Sequence, residues 1–313
     1  MAFLFLECQG FLNRRTSFRH RFELFDTRVS KAIRNQIDFM SIDVDVAIPL
    51  GKGAGGNLNK KIIEILESRG VSDERRIETI KSLLETNNHL FNHVHCLTVM
   101  QRCARQRINV LQILSLEKIC EIFKKQDISV TPFDANFLSS MIYSLLLFDD
   151  NTLSIDIYLQ MILRYLDHCT TPFNNRHIGC CFYGLQKFST ELTQVDILIG
   201  ALVQKITELN ANQTVIPLGD QELSMSLYGF RKMQYSTNVN MALHFIANRG
   251  GAKVPFKSEQ AISNSLNGLQ NFDESRSGVK DVLSVLLSKI SKSDPKLMLA
   301  PRGVGSAFMV RFS

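Results

Sequence analysis

The chain has 313 residues, 45% of them apolar and 21% charged, with a formal net charge of +6. Apolar content at that level excludes wholesale disorder, and the length suits one large domain, two domains or a repeat array. Seven cysteines, at 8, 96, 103, 120, 169, 180 and 181, are odd in number and show no paired spacing, which argues against a secreted disulfide framework.

Residues 1–35 form a basic N-terminal segment. Seven Lys/Arg (Arg14, Arg15, Arg19, Arg21, Arg28, Lys31, Arg34) face three acids (Glu7, Glu23, Asp26) within 1–36, a net +4, which leaves +2 for the rest of the chain. Phe11, Leu12, Phe18, Phe22, Leu24 and Phe25 interleave with the arginines. An Arg-rich amphipathic start fits a mitochondrial or plastid transit peptide, against which stand the three acids and the alternatives of a disordered tail or a wrong gene start.

Residues 36–57 read as a Gly-containing arm or linker. Within it, 42–50 is strand-like and 51–56 (GKGAGG) matches G-x-G-x-x-G. No second strand follows as a dinucleotide-binding βαβ unit demands, and Asn57-Leu58 stand where a P-loop needs Lys-Ser/Thr. A flexible linker is the better reading. Next, 58–68 (LNKKIIEILES) and 73–85 (DERRIETIKSLLE) have the spacing of a helical hairpin turning at Arg69-Gly70-Val71. His89 and His93 stand four apart without the Glu of a zinc protease, and with Cys96 and Cys103 they fit no standard metal site.

The informative feature is a repeat. The hexapeptides YSLLLF (143–148), YGLQKF (183–188), YGFRKM (228–233) and NGLQNF (267–272) recur with Ser144-to-Gly184, Gly184-to-Gly229 and Gly229-to-Gly268 spacings of 40, 45 and 39. Each follows a proline (Pro132, Pro172, Pro217, Pro255) by about one helix length. Asp134, Asn174, Asp220 and Ser258, just past those prolines, are expected N-caps. Second helices follow: Val195, Leu198, Leu202, Ile206 and Leu209 keep one stripe, as do Val279, Val282, Leu283, Leu286 and Ile290. The expected fold is all-α, an α-solenoid of about 40-residue helical-hairpin repeats over 58–313, near 88–130, 131–170, 171–215, 216–253 and 254–298, with a partial copy at 299–313. The small Gly or Ser is expected to let a neighbouring helix come close. A divergent unit, 93–105 (HVHCLTVMQRCAR), overlays 177–189 and sets Arg102 against Gln186. The longest central run free of charged residues, 135–148, is too short to cross a bilayer, so no membrane span is expected.

A repeat turns one position into a surface. Two residues past the Gly or Ser stand Leu146, Gln186, Arg231 and Gln270, joined through the overlay by Arg102, and beside them Cys103, Leu147, Lys187, Lys232 and Asn271. The polar members, Arg102, Gln186, Lys187, Arg231, Lys232, Gln270 and Asn271, are the candidate contacts for single-stranded RNA. Lys/Arg suit phosphates and Gln/Asn suit base edges. No Ser/His/Asp or Cys/His constellation is arguable from sequence, and neither a cofactor nor a small-molecule substrate is expected.

The hexapeptide cores at this spacing, behind the HVHCLTVMQRCAR unit, resemble organellar RNA-binding helical repeats: the octotricopeptide-repeat, FAST-kinase-like and RAP-associated proteins, including the repeat subunit of the RNA-editing substrate-binding complex. The resemblance covers about 88–313. It implies a non-catalytic RNA-binding protein of organellar RNA processing, stability, translation or ribosome assembly. Two departures stand out: no RAP module follows the repeats, and tryptophan is absent. The alternative is a protein–protein scaffold of the HEAT/armadillo type. The half-repeat at 301–313 leaves Val304, Phe308 and Val310 to be covered by a protein partner, unless the chain is a truncated product.

Overall fold

The structure is a computed structural model that describes residues 54–126 and 133–294. The basic segment, the strand-like 42–50, residues 51–53 of the glycine motif and the partial repeat lie outside the described residues. Among those described, regular structure is helical apart from one isolated parallel bridge, Phe133 to Cys169, so the chain is all-α there. None of these helices is long and apolar enough to cross a membrane.

Helices α1 (Ala54–Leu66) and α2 (Asp73–Thr86) form the expected first hairpin, turning through Gly70 at φ +77, a left-handed conformation that favours glycine. Helix α1 starts at Ala54, so Gly55 and Gly56 are helical and the arm assigned to 36–57 ends earlier than its sequence suggests. Then follow α3 (His93–Gln106), α4 (Leu116–Lys124), α5 (Ala135–Tyr143), α6 (Ile155–Asp167), α7 (Asn175–Gly184) and α8 (Thr193–Leu209). The last are α9 (Asp220–Tyr228), α10 (Thr237–Arg249), α11 (Glu259–Leu269) and α12 (Ser277–Ile290).

The caps explain where the first helices begin. Asp134 Oδ1 accepts from the Phe137 N–H at 2.7 Å, satisfying one free donor of α5. Asn174 does the same for His177 at 2.9 Å, and the His177 ring returns a bond by accepting from the Asn174 N–H. Asn92 and His95 repeat that reciprocal box at α3. Ser258 occupies the N-cap of α11 without a side-chain bond. Asp220 is not a cap: Gly219 takes that place, and Asp220 is the first helical residue. Its carboxylate instead ties three elements, 3.2 Å from the buried Lys289 Nζ on α12 and accepting from the Lys257 N–H at 2.7 Å.

First helices pack on first helices: α3 on α1, then α5, α7, α9 and α11 each on the one before. Second helices do likewise from α4 through α6, α8, α10 and α12. Leu145, Leu185, Phe230 and Leu269, one past each Ser or Gly, are buried in the core. The glycines themselves sit at the closest approach. A Cβ on Gly184 would stand 2.1 Å from the Ile142 carbonyl oxygen. One on Gly229 would stand 2.0 Å from that of Phe182, and one on Gly268 2.0 Å from that of Leu227. Each of those carbonyls belongs to the residue two before the preceding Ser or Gly, so the contact recurs in register.

Two outcomes follow. Gly229→Ala forces two backbones apart and is expected to lose roughly 1–3 kcal/mol or more in urea unfolding. Gly55→Ala is the control: its Cβ would meet only the His95 ring at 3.7 Å, and it should be neutral or slightly stabilising. The caps also carry a pH dependence. Burial holds His177 below the usual imidazole value of 6.5, Asp134 opposing and Arg176 assisting, and burial followed by His95 does the same for His93. Both states are neutral above that value. As pH falls below 6.5 the unfolded chain takes the proton first, so stability drops through the lowered folded values. Urea midpoints should fall across that window, and less so in His177→Gln.

Candidate nucleic-acid interface

Six of the seven residues picked out by the repeat are brought together along the C-terminal ends of α7, α9 and α11. They are tied to the chain itself. Buried Gln186 donates from Nε2 to the Tyr183 carbonyl at 3.2 Å. Half-buried Arg231 donates from Nε to the Gln186 carbonyl at 3.2 Å, and its guanidinium lies 4.7 Å above the Tyr228 ring while Nη1 donates to the Tyr228 hydroxyl. Asn271 Nδ2 donates to the Arg231 carbonyl at 2.7 Å, with Gln270 Nε2 at 3.5 Å from the same oxygen. Lys232 Nζ donates to the Lys187 carbonyl at 3.4 Å. Helices end with carbonyls that lack partners inside the helix. Here Gln186 caps its own helix end, and the long polar side chains past α9 and α11 supply donors to the repeat before.

Arg102 is not part of this row. It is buried, with Nη1 2.5 Å from Glu67 Oε1, and Arg105 reaches the same oxygen at 3.6 Å. The caps give the reason. Counting from Asn92 and Asn174 sets Arg102 opposite Gly184, where it meets the preceding element as the glycines do. Arg105 then holds the place of Lys187, and Cys103 is in the core. Leu146 and Leu147 continue the row as partly buried apolar residues.

What sequence reasoning missed is the residue before each Ser or Gly. Tyr143 and Tyr183 stack with centroids 6.3 Å apart and planes 19° apart, and Tyr183 and Tyr228 at 5.9 Å and 25°. Asn267 follows in the same place, and Gln101 precedes by the cap count. The signal was present as the first letter of each hexapeptide. Helical spacing puts this row on one face with Arg105, Leu147, Lys187, Lys232 and Asn271 one turn on. One and two turns back stand Thr98, Ser140, Cys180, Met225 and Asn264, then Val94, Asn136, Arg176, Gln221 and Gln260. None of these positions carries Asp or Glu.

The electrostatics agree. Burial pushes the Tyr143 hydroxyl up, with Tyr183 adding to it. Burial also raises Tyr183, against a lowering hydrogen bond from Gln186. Both stay protonated at neutral pH. Burial lowers Lys187, Asp149 opposes, and the nearby Arg231 and Lys232 lower it further, so three cations and one carboxylate lie near one another there.

The structure also assembles a Ser–His–Asp set that the sequence does not show. His244 Nδ1 lies 2.8 Å from Asp281 Oδ2, and its Nε2 lies 3.0 Å from Ser277 Oγ. Catalytic sets of this kind bury the carboxylate, whereas the Asp281 side chain is 54% exposed. Ser277 Oγ is also engaged by the Asn240 amide at 3.3 Å. One repeat earlier Asp196 accepts from the Ser236 hydroxyl and from Asn238 Nδ2. The arrangement is a polar staple between successive second helices. Among the described residues no three His, Cys, Asp or Glu are placed to share an ion. The described cysteines are all buried and unpaired, with burial pushing Cys180 and Cys103 up to about 12. His93 packs edge-on against Phe137.

Comparison with known proteins returns no matching family model, no similar curated protein and no similar solved structure.

Proposed function

We propose that the stacked hairpins form an α-solenoid that binds single-stranded RNA along its first-helix face, without catalysis, in an organelle. The observation that carries this reading is the face itself. It runs across α3, α5, α7, α9 and α11 without a carboxylate, and Lys187, Arg231 and Lys232 cluster at its edge. Phosphates need cations, and base edges need amide and hydroxyl partners. The row supplies both at a repeat of about 40 residues. The organellar part rests on the basic segment 1–35 and on the resemblance of the hexapeptide cores to organellar repeats.

Fluorescence anisotropy with single-stranded RNA across a salt series tests the binding. Lys187→Ala with Lys232→Ala is expected to weaken affinity for all sequences and to flatten the salt slope by about 0.7 per lost phosphate contact. Unchanged affinity and slope would sink the assignment. For the non-catalytic part, an activated fluorophosphonate should leave Ser277 unlabelled, because its hydroxyl is held in the staple with Asn240 and His244.

A protein scaffold has one observation of its own. Ile157, Ile197 and Met241, at matching places on α6, α8 and α10, are 39%, 49% and 39% exposed. Crosslinking in cells separates the two: recovery of protein partners with no RNA moves the function to that second-helix face.

A further inference from the structure

We propose that Arg107, with Arg105 and the Tyr143 hydroxyl, forms a phosphate-binding subsite at the α3 end of the first-helix face. This rests on the RNA reading above and goes beyond it, since that reading takes its cations from the turns after α7 and α9 alone.

Among the described residues, two that are not glycine hold a positive φ: Arg107 at 58° and Ser154 at 65°. Ser154 has a local reason, since its hydroxyl donates to Glu117 Oε1 at 2.7 Å. Arg107 is the left-handed C-cap of α3. Its N–H and that of Ile108 both donate to the Cys103 carbonyl, and the Ile108 side chain is buried beneath the turn. Such a turn favours glycine, because a Cβ crowds the backbone there. The turn therefore accounts for the conformation and not for the arginine. The Arg107 side chain is exposed. Strain of this kind persists where the surroundings fix it, and it collects at ligand sites.

Position supplies the ligand. After α7 stand Gln186 and Lys187, and after α9 Arg231 and Lys232, but after α5 stand Leu146 and Leu147, so the row of cations has a gap there. Tyr143 ends α5 beside that gap. Its hydroxyl has no hydrogen-bond partner among the described residues, and it is open to solvent. Burial, with Tyr183 and Cys180, keeps it protonated and so a donor, while Arg105 and Arg107 act the other way, which places both charges near it. Arg107 acts on the Tyr183 hydroxyl too, beside Gln186 and Arg231. This one guanidinium thus serves the stretch from α5 to α7, where α5 brings no cation of its own. Arg105 stands one turn past Gln101 in the row and also reaches Glu67 at 3.6 Å. Two guanidiniums and a phenolic donor are the groups that a phosphate oxygen takes.

The test is anisotropy with labelled oligo(U) across a salt series, with urea unfolding alongside. It compares the full chain with Arg107→Gly, Arg107→Lys, Tyr143→Phe and the Lys187→Ala/Lys232→Ala pair. Arg107→Gly relieves the left-handed backbone, so its urea midpoint should stay or rise. Its RNA affinity should fall about three- to tenfold at low salt, with the salt slope flatter by about 0.7. Arg107→Lys should keep the slope. Tyr143→Phe removes a donor and no charge, so it should weaken binding at every salt concentration and leave the slope alone. If Arg107→Gly binds with the affinity and slope of the unaltered chain while the lysine pair binds weakly, the subsite is wrong and RNA binding stands. If Arg107→Gly lowers the urea midpoint, the side chain serves the fold, and the reading of its backbone is wrong. If Tyr143→Phe binds like the unaltered chain, the hydroxyl is no part of the subsite. If the unaltered chain binds no RNA, this inference and the RNA reading fall together.

Discussion

Successive first helices touch backbone to backbone, and most of what distinguishes this protein depends on that contact. Gly184, Gly229 and Gly268 each sit where a methyl group would overlap a carbonyl oxygen of the helix before. A helix pair this close cannot slide without collision, so the glycine sets register as well as distance. The tyrosine one residue earlier is thereby placed above the next tyrosine at aromatic-pair separation, and the polar residues beyond the glycine reach back to the preceding carbonyls. One small residue per repeat therefore produces a continuous surface from separate hairpins.

The second helices hold the same register by different chemistry. Asp196 is bonded by Ser236 and Asn238, and Asn240 by Ser277 and the Gly278 N–H at 2.9 Å. These staples lie at the helix starts, where donors are free, and His244 with Asp281 extends the second of them by one turn. Lys289 adds a link across three elements, donating to the Val254 carbonyl at 2.9 Å beside Phe256 and pairing with Asp220. Removing one partner of such a buried pair would leave the other charge uncompensated. With the second row fastened in this way, the first row is held by its glycine contacts and by polar side chains that bond its own backbone.

Much of this was legible in the sequence because it repeats. The Gly spacing, the caps Asp134 and Asn174 and the stripes of the second helices all come from local patterns, and local patterns survive folding. The misses have a common cause. Counting forward from the glycine found Gln186, Arg231 and Gln270 but passed over the tyrosine just before it, because an aromatic beside a buried glycine reads as core. Arg102 was set two positions out because residue likeness overlaid His93 on His177, whereas the histidines that close the two capping boxes are His95 and His177. Asp220 follows a proline as a cap should, yet Gly219 takes the extended backbone that a cap needs and frees the carboxylate for Lys289. The set of Ser277, His244 and Asp281 depends on helix docking across a repeat boundary, and no sequence spacing announces it.

Charge, finally, acts here through placement. Outside the basic segment the chain is nearly neutral, which by itself predicts weak attraction to a polyanion. But several acids are engaged elsewhere: Glu67 with Arg102 and Arg105, Asp220 with Lys289, Asp281 with His244, Glu121 with Lys118. Lys187, Arg231 and Lys232 have no carboxylate within ion-pair distance among the described residues; burial is the main cause that lowers Lys187, Asp149 opposes it, and Arg231 and Lys232 add to it. A chain with a modest total charge can in this way gather cations at the edge of a row of first-helix positions that carry no acid.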